Sequence, residues 1–203
     1  ATFTAKKGDA LQNISYKTEL QWANAFKKIS AESEYIAYYL PNRRATFRFF
    51  AGGFLQSKTD DNYFDYNISR VNDYLFQYDL YGRSESDGFF SQQYIKAEGA
   101  MRTAGNVTSA NKWLISAQTS TTLWRWIEGY AEVGWIKNTD QKAHTHWGTG
   151  VSFNLISDFF EIHFPLYDAT GNLMTKPAYA KQIRFQLSLR PSTLVQLFSR
   201  SWF

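Results

Sequence analysis

Apolar and polar residues alternate one for one over segment after segment of about ten residues, and the 3.6-residue spacing of amphipathic helices is rare. Successive side chains of a strand point to opposite faces, so a chain patterned this way folds as antiparallel sheet with one apolar and one polar face. Ten strands are predicted: Asn13–Ala23, Ile29–Tyr39, Arg44–Leu55, Asp73–Gly82, Phe89–Thr103, Lys112–Ser120, Trp126–Lys137, His144–Asn154, Phe159–Pro165 and Lys181–Arg190. The first two are the least distinct, because Leu20–Ile29 also has a helical reading.

The connections alternate in length. Short ones fall at Leu40–Arg43, Arg83–Gly88, Thr121–Arg125 and Leu155–Asp158, whereas longer polar stretches fall at Gln56–Asn72, Ala104–Asn111, Asn138–Ala143 and Leu166–Ala180. Outer-membrane barrels show this asymmetry of short turns and long loops, and an even strand count places both chain ends on the short-turn side. The link Asn24–Lys28 is the exception, short on the long-loop side.

One parity of the later strands is apolar: Phe47, Phe49 and Ala51, then Ala131, Val133 and Trp135, then Val151 and Phe153, then Phe160, Ile162 and Phe164. The other is polar. It carries Arg48, Asp79, Lys96, Glu98, Glu128, Glu132, Glu161, Arg184 and Arg190, a nearly balanced set that suits an ion-pair network filling a narrow lumen, with no open channel. A soluble barrel or sandwich would show the same alternation with the faces exchanged, so the pattern alone leaves both open. Tryptophan placement favours the membrane. Trp22, Trp113, Trp135 and Trp147 fall at long-loop ends and Trp124 and Trp126 at a short turn, as two aromatic girdles would.

With 203 residues, 18% aromatic and only 4 Pro, the chain is one folded domain. Residues 1–190 are expected to form the barrel. Pro191, then Leu194, Leu197 or Phe198 and Trp202 on one face, predict a short amphipathic helix over 191–203. No run approaches 18 apolar residues and the mean hydropathy is −0.43, which excludes a helical span and leaves a strand-built one open. The absence of Cys removes thiol nucleophiles, disulfides and thiolate metal sites. A net charge of +4 spread along the chain gives no nucleic-acid footprint. Ala1–Ala10 lacks the regions of a signal peptide, so the chain is expected to begin as a mature or excised product.

Catalytic signals are weak. His144 and His146 share a strand face, and His163 lies on the next strand; with the turn centred near Ile156 and Ser157, His163 falls opposite Gly150 and about 13 Å from His146. That separation is too large for one metal or one triad, so His146 and His163 stand only as rim candidates for a hydrolase. No HExxH helix, nucleotide-binding glycine pattern or serine elbow occurs.

The stretches Arg48–Gly52, Asn72–Phe76, Leu80–Ser86, Phe90–Gln93, Trp126–Glu128, Asp158–Pro165 and Lys181–Phe185 resemble the C-terminal region of large gluzincin-family, aminopeptidase-like proteins of Gram-negative bacteria. The likeness runs from about Arg44 onward. It implies a membrane-embedded tail attached to an upstream zinc peptidase domain. No zinc ligand or catalytic acid of that domain can be placed on these residues, so neither a cofactor nor a catalytic residue is expected here.

The expectation is therefore an all-β, antiparallel up-and-down transmembrane β-barrel of about ten strands, or twelve if N-terminal strands are missing. It would sit in the outer membrane of a Gram-negative bacterium as an anchor or assembly component. Its partners would be lipid and other outer-membrane or periplasmic proteins. The rivals are a soluble barrel or sandwich binding an apolar ligand or glycan, and a barrel-rim hydrolase.

Overall fold

A computed structural model describes residues 1–9, 11–41, 43–58, 62–72, 74–75, 88–103, 105, 107–156 and 159–187. Among them the fold is all-β. A ten-stranded antiparallel sheet contains β1 (Thr2–Gly8), β2 (Gln12–Trp22), β3 (Phe26–Leu40), β4 (Arg43–Ser57), β7 (Trp113–Trp124), β8 (Ile127–Lys137), β9 (His144–Ile156), β10 (Phe160–Asp168), β11 (Gly171–Asn172) and β12 (Arg184–Leu187). The two remaining short strands, β5 (Tyr66–Asn67) and β6 (Ser109–Ala110), pair with each other in the insertion that joins β4 to β7.

The long strands pair in chain order from β1 to β10, with β12 on the far side of β10. Short connections at 9–11, 41–42, 125–126 and 157–159 lie at one end, and the links at 23–25, 58–112, 138–143 and 169–183 lie at the other. Among the described residues nine strands run along the sheet, because β11 is only a two-residue return on β10. The N-terminus therefore starts at the long-loop end, and not at the short-turn end as an even count required.

The sheet is open. Among the described residues β1 has no neighbour beyond β2, and the outer edge of β12 is met at Phe185 by Gln93 instead of by β1. A closed barrel is thus not what these residues form.

Three further differences from the sequence reading have local causes. The strand β1 was missed because Lys6 and Lys7 interrupt its alternation; it is held by full register against β2, from Thr2 opposite Glu19 to Gly8 opposite Asn13. The strand expected over Phe89–Thr103 is instead a 3-10 turn at Phe89–Gln92 followed by an irregular segment. There the backbone pairs locally and with distant parts: Tyr94 N–H reaches Phe185 O at 2.6 Å, and Gly99 N–H reaches Asn67 O at 2.9 Å. Of the strand expected over Asp73–Gly82 only Tyr74 and Leu75 are described, and they form a turn. The helix expected over 191–203 lies outside the described residues, and so does the end of the last strand.

The described part of the insertion lies on one face of the sheet, and this contact supplies the core. Phe50 and Leu114 from the sheet pack with Tyr66, Ile68, Met101 and Ala110 from the insertion and Ile136 from β8. Two strand glycines make this approach possible. A Cβ on Gly134 would stand 2.5 Å from Ile68 Cδ1, and one on Gly148 would collide with Thr103 Oγ1. Their lack of a side chain lets the insertion approach the sheet closely.

Candidate functional site

The two faces of the sheet differ in a way that alternation could not decide. On the face covered by the insertion, Arg48, Gln118, Glu132, Ser152, His163 and Arg184 are all buried. On the bare face Phe47 is 51% and Phe49 47% exposed, with Tyr16, Leu20, Ile29 and Leu55 also open. The polar parity is inside and a broad part of the apolar parity is outside.

The bare face is bordered by indoles. Trp22, Trp113, Trp135 and Trp147 sit toward the long-loop end, with Trp113 opposite Lys137, Trp135 opposite Ile115 and Trp147 opposite Val133. Trp124 ends β7 just before the turn at 125–126 and Trp126 is the second residue of that turn; they are 62% and 58% exposed. Between the rims lies a groove of about 510 Å³, whose walls include Tyr16, Tyr35, Phe47, Phe49, Ala117 and Val133.

Under the insertion the charges pair across elements. Arg48 donates from Nε to Glu32 at 2.7 Å, from Nη1 to Gln118 at 3.1 Å and from Nη2 to Ala97 O at 2.9 Å. Glu132 accepts the backbone N–H groups of Arg102 and Thr103 at 3.0 and 2.7 Å, with the Arg102 guanidinium 3.9 Å away. Lys96 pairs with Glu34, and Glu128 lies 3.4 Å from Arg44. Arg184 reaches Ser91 O at 3.4 Å. Burial pushes the Glu98 carboxyl above its ordinary pKa against the pull of Lys28, and burial does the same to Asp65. Asp79 and Arg190 lie outside the described residues.

The sequence-selected charges thus share a face but mostly pair with residues that were not selected: Glu32, Glu34, Arg44, Arg102 and Gln118. For β3 the signal was present, since Lys28, Ser30, Glu32 and Glu34 alternate with Ile29, Ala31, Ser33 and Tyr35. For Arg102 there was none, because it sits on the irregular segment. Lys28 was missed as well. Its ammonium donates to Phe64 O at 3.0 Å and lies 4.6 Å from the Tyr66 ring and 4.9 Å from that of Tyr74, so it fastens the insertion to β3.

The two rim histidines do not share a site. His163 stands opposite Ser152, two residues from the expected register, and is 0% exposed in the body of the sheet. Its Nδ1 is 2.7 Å from Ser152 Oγ, and Glu161 is 4.0 Å from its Nε2. Serine, imidazole and carboxylate are therefore adjacent, but Ser152 is also buried, so no substrate reaches the pair. His146 lies toward the long-loop end against Gly105, six residues along β9 from Ser152, or roughly 20 Å. Among the described residues no group of three His, Asp or Glu is placed to hold a metal. Compared with known proteins, the chain matches no family profile, no curated protein and no solved structure.

Proposed function

We propose that this chain is an outer-membrane β-barrel region that anchors or helps assemble a larger gluzincin-like protein, with any zinc-dependent peptidase activity residing upstream. The observation that carries the membrane reading is the inversion of the sheet: exposed Phe47 and Phe49 on the bare face, buried Arg48 and Glu132 behind them. In water such a bare apolar face is unfavourable at about 25 cal/mol per Å², whereas acyl chains make it neutral. The exposed indoles at both rims suit the two headgroup layers. The interior polar network, packed under the insertion, suits a plugged barrel with no channel. In hydrocarbon the free edge of β1 must be satisfied, because unpaired backbone there costs several kcal/mol per group; closure of the wall in the bilayer meets that requirement. The anchoring role and the upstream peptidase rest on the resemblance from Arg44 onward.

The groove of about 510 Å³ on the bare face favours a second reading, a soluble sheet that binds an apolar ligand there. Extraction separates the two. The membrane reading expects the chain in the outer-membrane fraction, released only by detergent, with heat-modifiable gel migration after reconstitution in lipid. Purified protein that stays monodisperse in plain buffer overturns it.

A further inference from the structure

A polar cavity of about 220 Å³ opens between two strips of the insertion, and its walls include Asn67, Ser69, Arg70, Asn72 and Ser91. Two guanidinium groups converge beside it. Arg70 Nη2 and Arg184 Nη1 both donate to the single carbonyl oxygen of Ser91, at 3.3 and 3.4 Å. Each guanidinium carries five N–H donors, and among the described residues one shared neutral acceptor leaves most of them unused. Among the described residues no carboxylate lies within 4.0 Å of either group. Arg184 is 6% exposed and its Nε is buried without a hydrogen-bond partner among the described residues; Ser69, also 6% exposed, has a buried hydroxyl in the same condition.

Arg184 feels the like charge of Arg70, offset by Glu132, which lies beyond ion-pair distance, and buried donors without acceptors are unfavourable. One ligand resolves both: an anion with several acceptor oxygens. Arg is the side chain that grips such a group with two parallel bonds. We propose that this cavity binds a phosphate group, gripped by the exposed Arg70, with the buried Arg184 supplying charge behind Ser91 and the Ser69 hydroxyl donating a further bond. The site belongs to the covered side of the sheet and stands independently of what the bare face meets. The phosphate can belong to a free anion or to a lipid headgroup that enters beside β12.

The test uses the whole chain in a non-ionic detergent that carries no phosphate. Calorimetric titration with inorganic phosphate is expected to show saturable binding, weakened at least tenfold in Arg70→Gln and more mildly in Ser69→Ala. Because Arg70 is exposed, Arg70→Gln keeps the unfolding midpoint of the parent; Arg70→Lys, which retains charge without the fork, keeps part of the affinity. A parallel arm compares thermal stabilisation by vesicles of phosphatidic acid with that by an uncharged glycolipid. Binding of inorganic phosphate that depends on Arg70 supports the site with a free anion. Stabilisation by phosphatidic acid alone, lost in Arg70→Gln, supports it with a headgroup. Absence of both effects, or equal binding by the parent and Arg70→Gln, overturns it.

Discussion

The β7–β9 panel and the β1–β2 hairpin are built from the same alternation, yet their polar faces meet different surroundings. In the panel, Ser116, Gln118, Glu132 and Ser152 are sealed beneath the insertion. In the hairpin, Thr2, Thr4, Lys6 and Lys17 occupy the same side of the sheet and remain exposed. Alternation sorts side chains onto faces, but a polar residue becomes costly to alter only where a second layer lies over it. The two regions should therefore answer very differently to equivalent changes.

The largest difference is expected at Glu132. Its replacement by Ala strands two buried backbone donors and the Arg102 charge, and should cost about 3 to 5 kcal/mol. Thr4→Ala in the hairpin should stay within about 0.5 kcal/mol. Denaturant unfolding followed by Trp fluorescence checks both, and equal midpoints would mean that the insertion does not hold the panel.

A smaller effect, with the roles of the faces exchanged, is expected from Arg introduced on the bare side. Val133→Arg should cost about 2 to 4 kcal/mol in a bilayer and hinder insertion. Ser152 is not a suitable control for that change, although alternation alone would recommend it. It is 4% exposed and bonded to His163, so an Arg there overpacks the core. Thr4→Arg is the control, on the polar parity where nothing covers it. Heat-modifiable migration of the two variants in lipid sharpens the comparison.

Glu98 gives a pH-dependent contrast within the covered side. Its folded pKa is raised above the usual 4.5 by burial, so its contribution to stability is present in full below about pH 4.5 and is lost as pH rises through the raised value. Glu98→Gln should therefore be more stable than the parent at neutral pH, and the advantage should shrink on acidification. An advantage that is constant with pH would show that the carboxyl does not titrate differently in the two states.

The smallest effect belongs to the hairpin turn. Asp9 accepts the N–H groups of Leu11 and Gln12 at 2.9 and 2.8 Å, which lowers its pKa. Asp9→Ala should speed hydrogen exchange at those two amides while the panel stays unchanged.

Much of the sheet was legible in the sequence. Strands β2, β3, β4 and β7 through β10 fall within a few residues of their expected bounds, because period-two alternation is a property of the strand itself. The partners of the charged residues were not legible, since Arg48 meets Ala97 and Glu132 meets Thr103 only through an insertion whose segment has no repeating pattern. The histidine register was off by two because β9 runs on to Ile156, which pairs with Phe160, so the turn falls later than the expected centre at Ile156 and Ser157; the one-residue shift between Phe160 and Glu161 takes back only part of that offset.

By itself the sequence determined that this chain makes antiparallel sheet and which residues share a face, since both follow from local geometry repeated along the chain. The tertiary structure decided which face is covered, that the sheet edges stay apart among the described residues, and that two arginines meet at Ser91. Those outcomes depend on where the 58–112 connection comes to rest, and packing between residues distant in the chain sets that position.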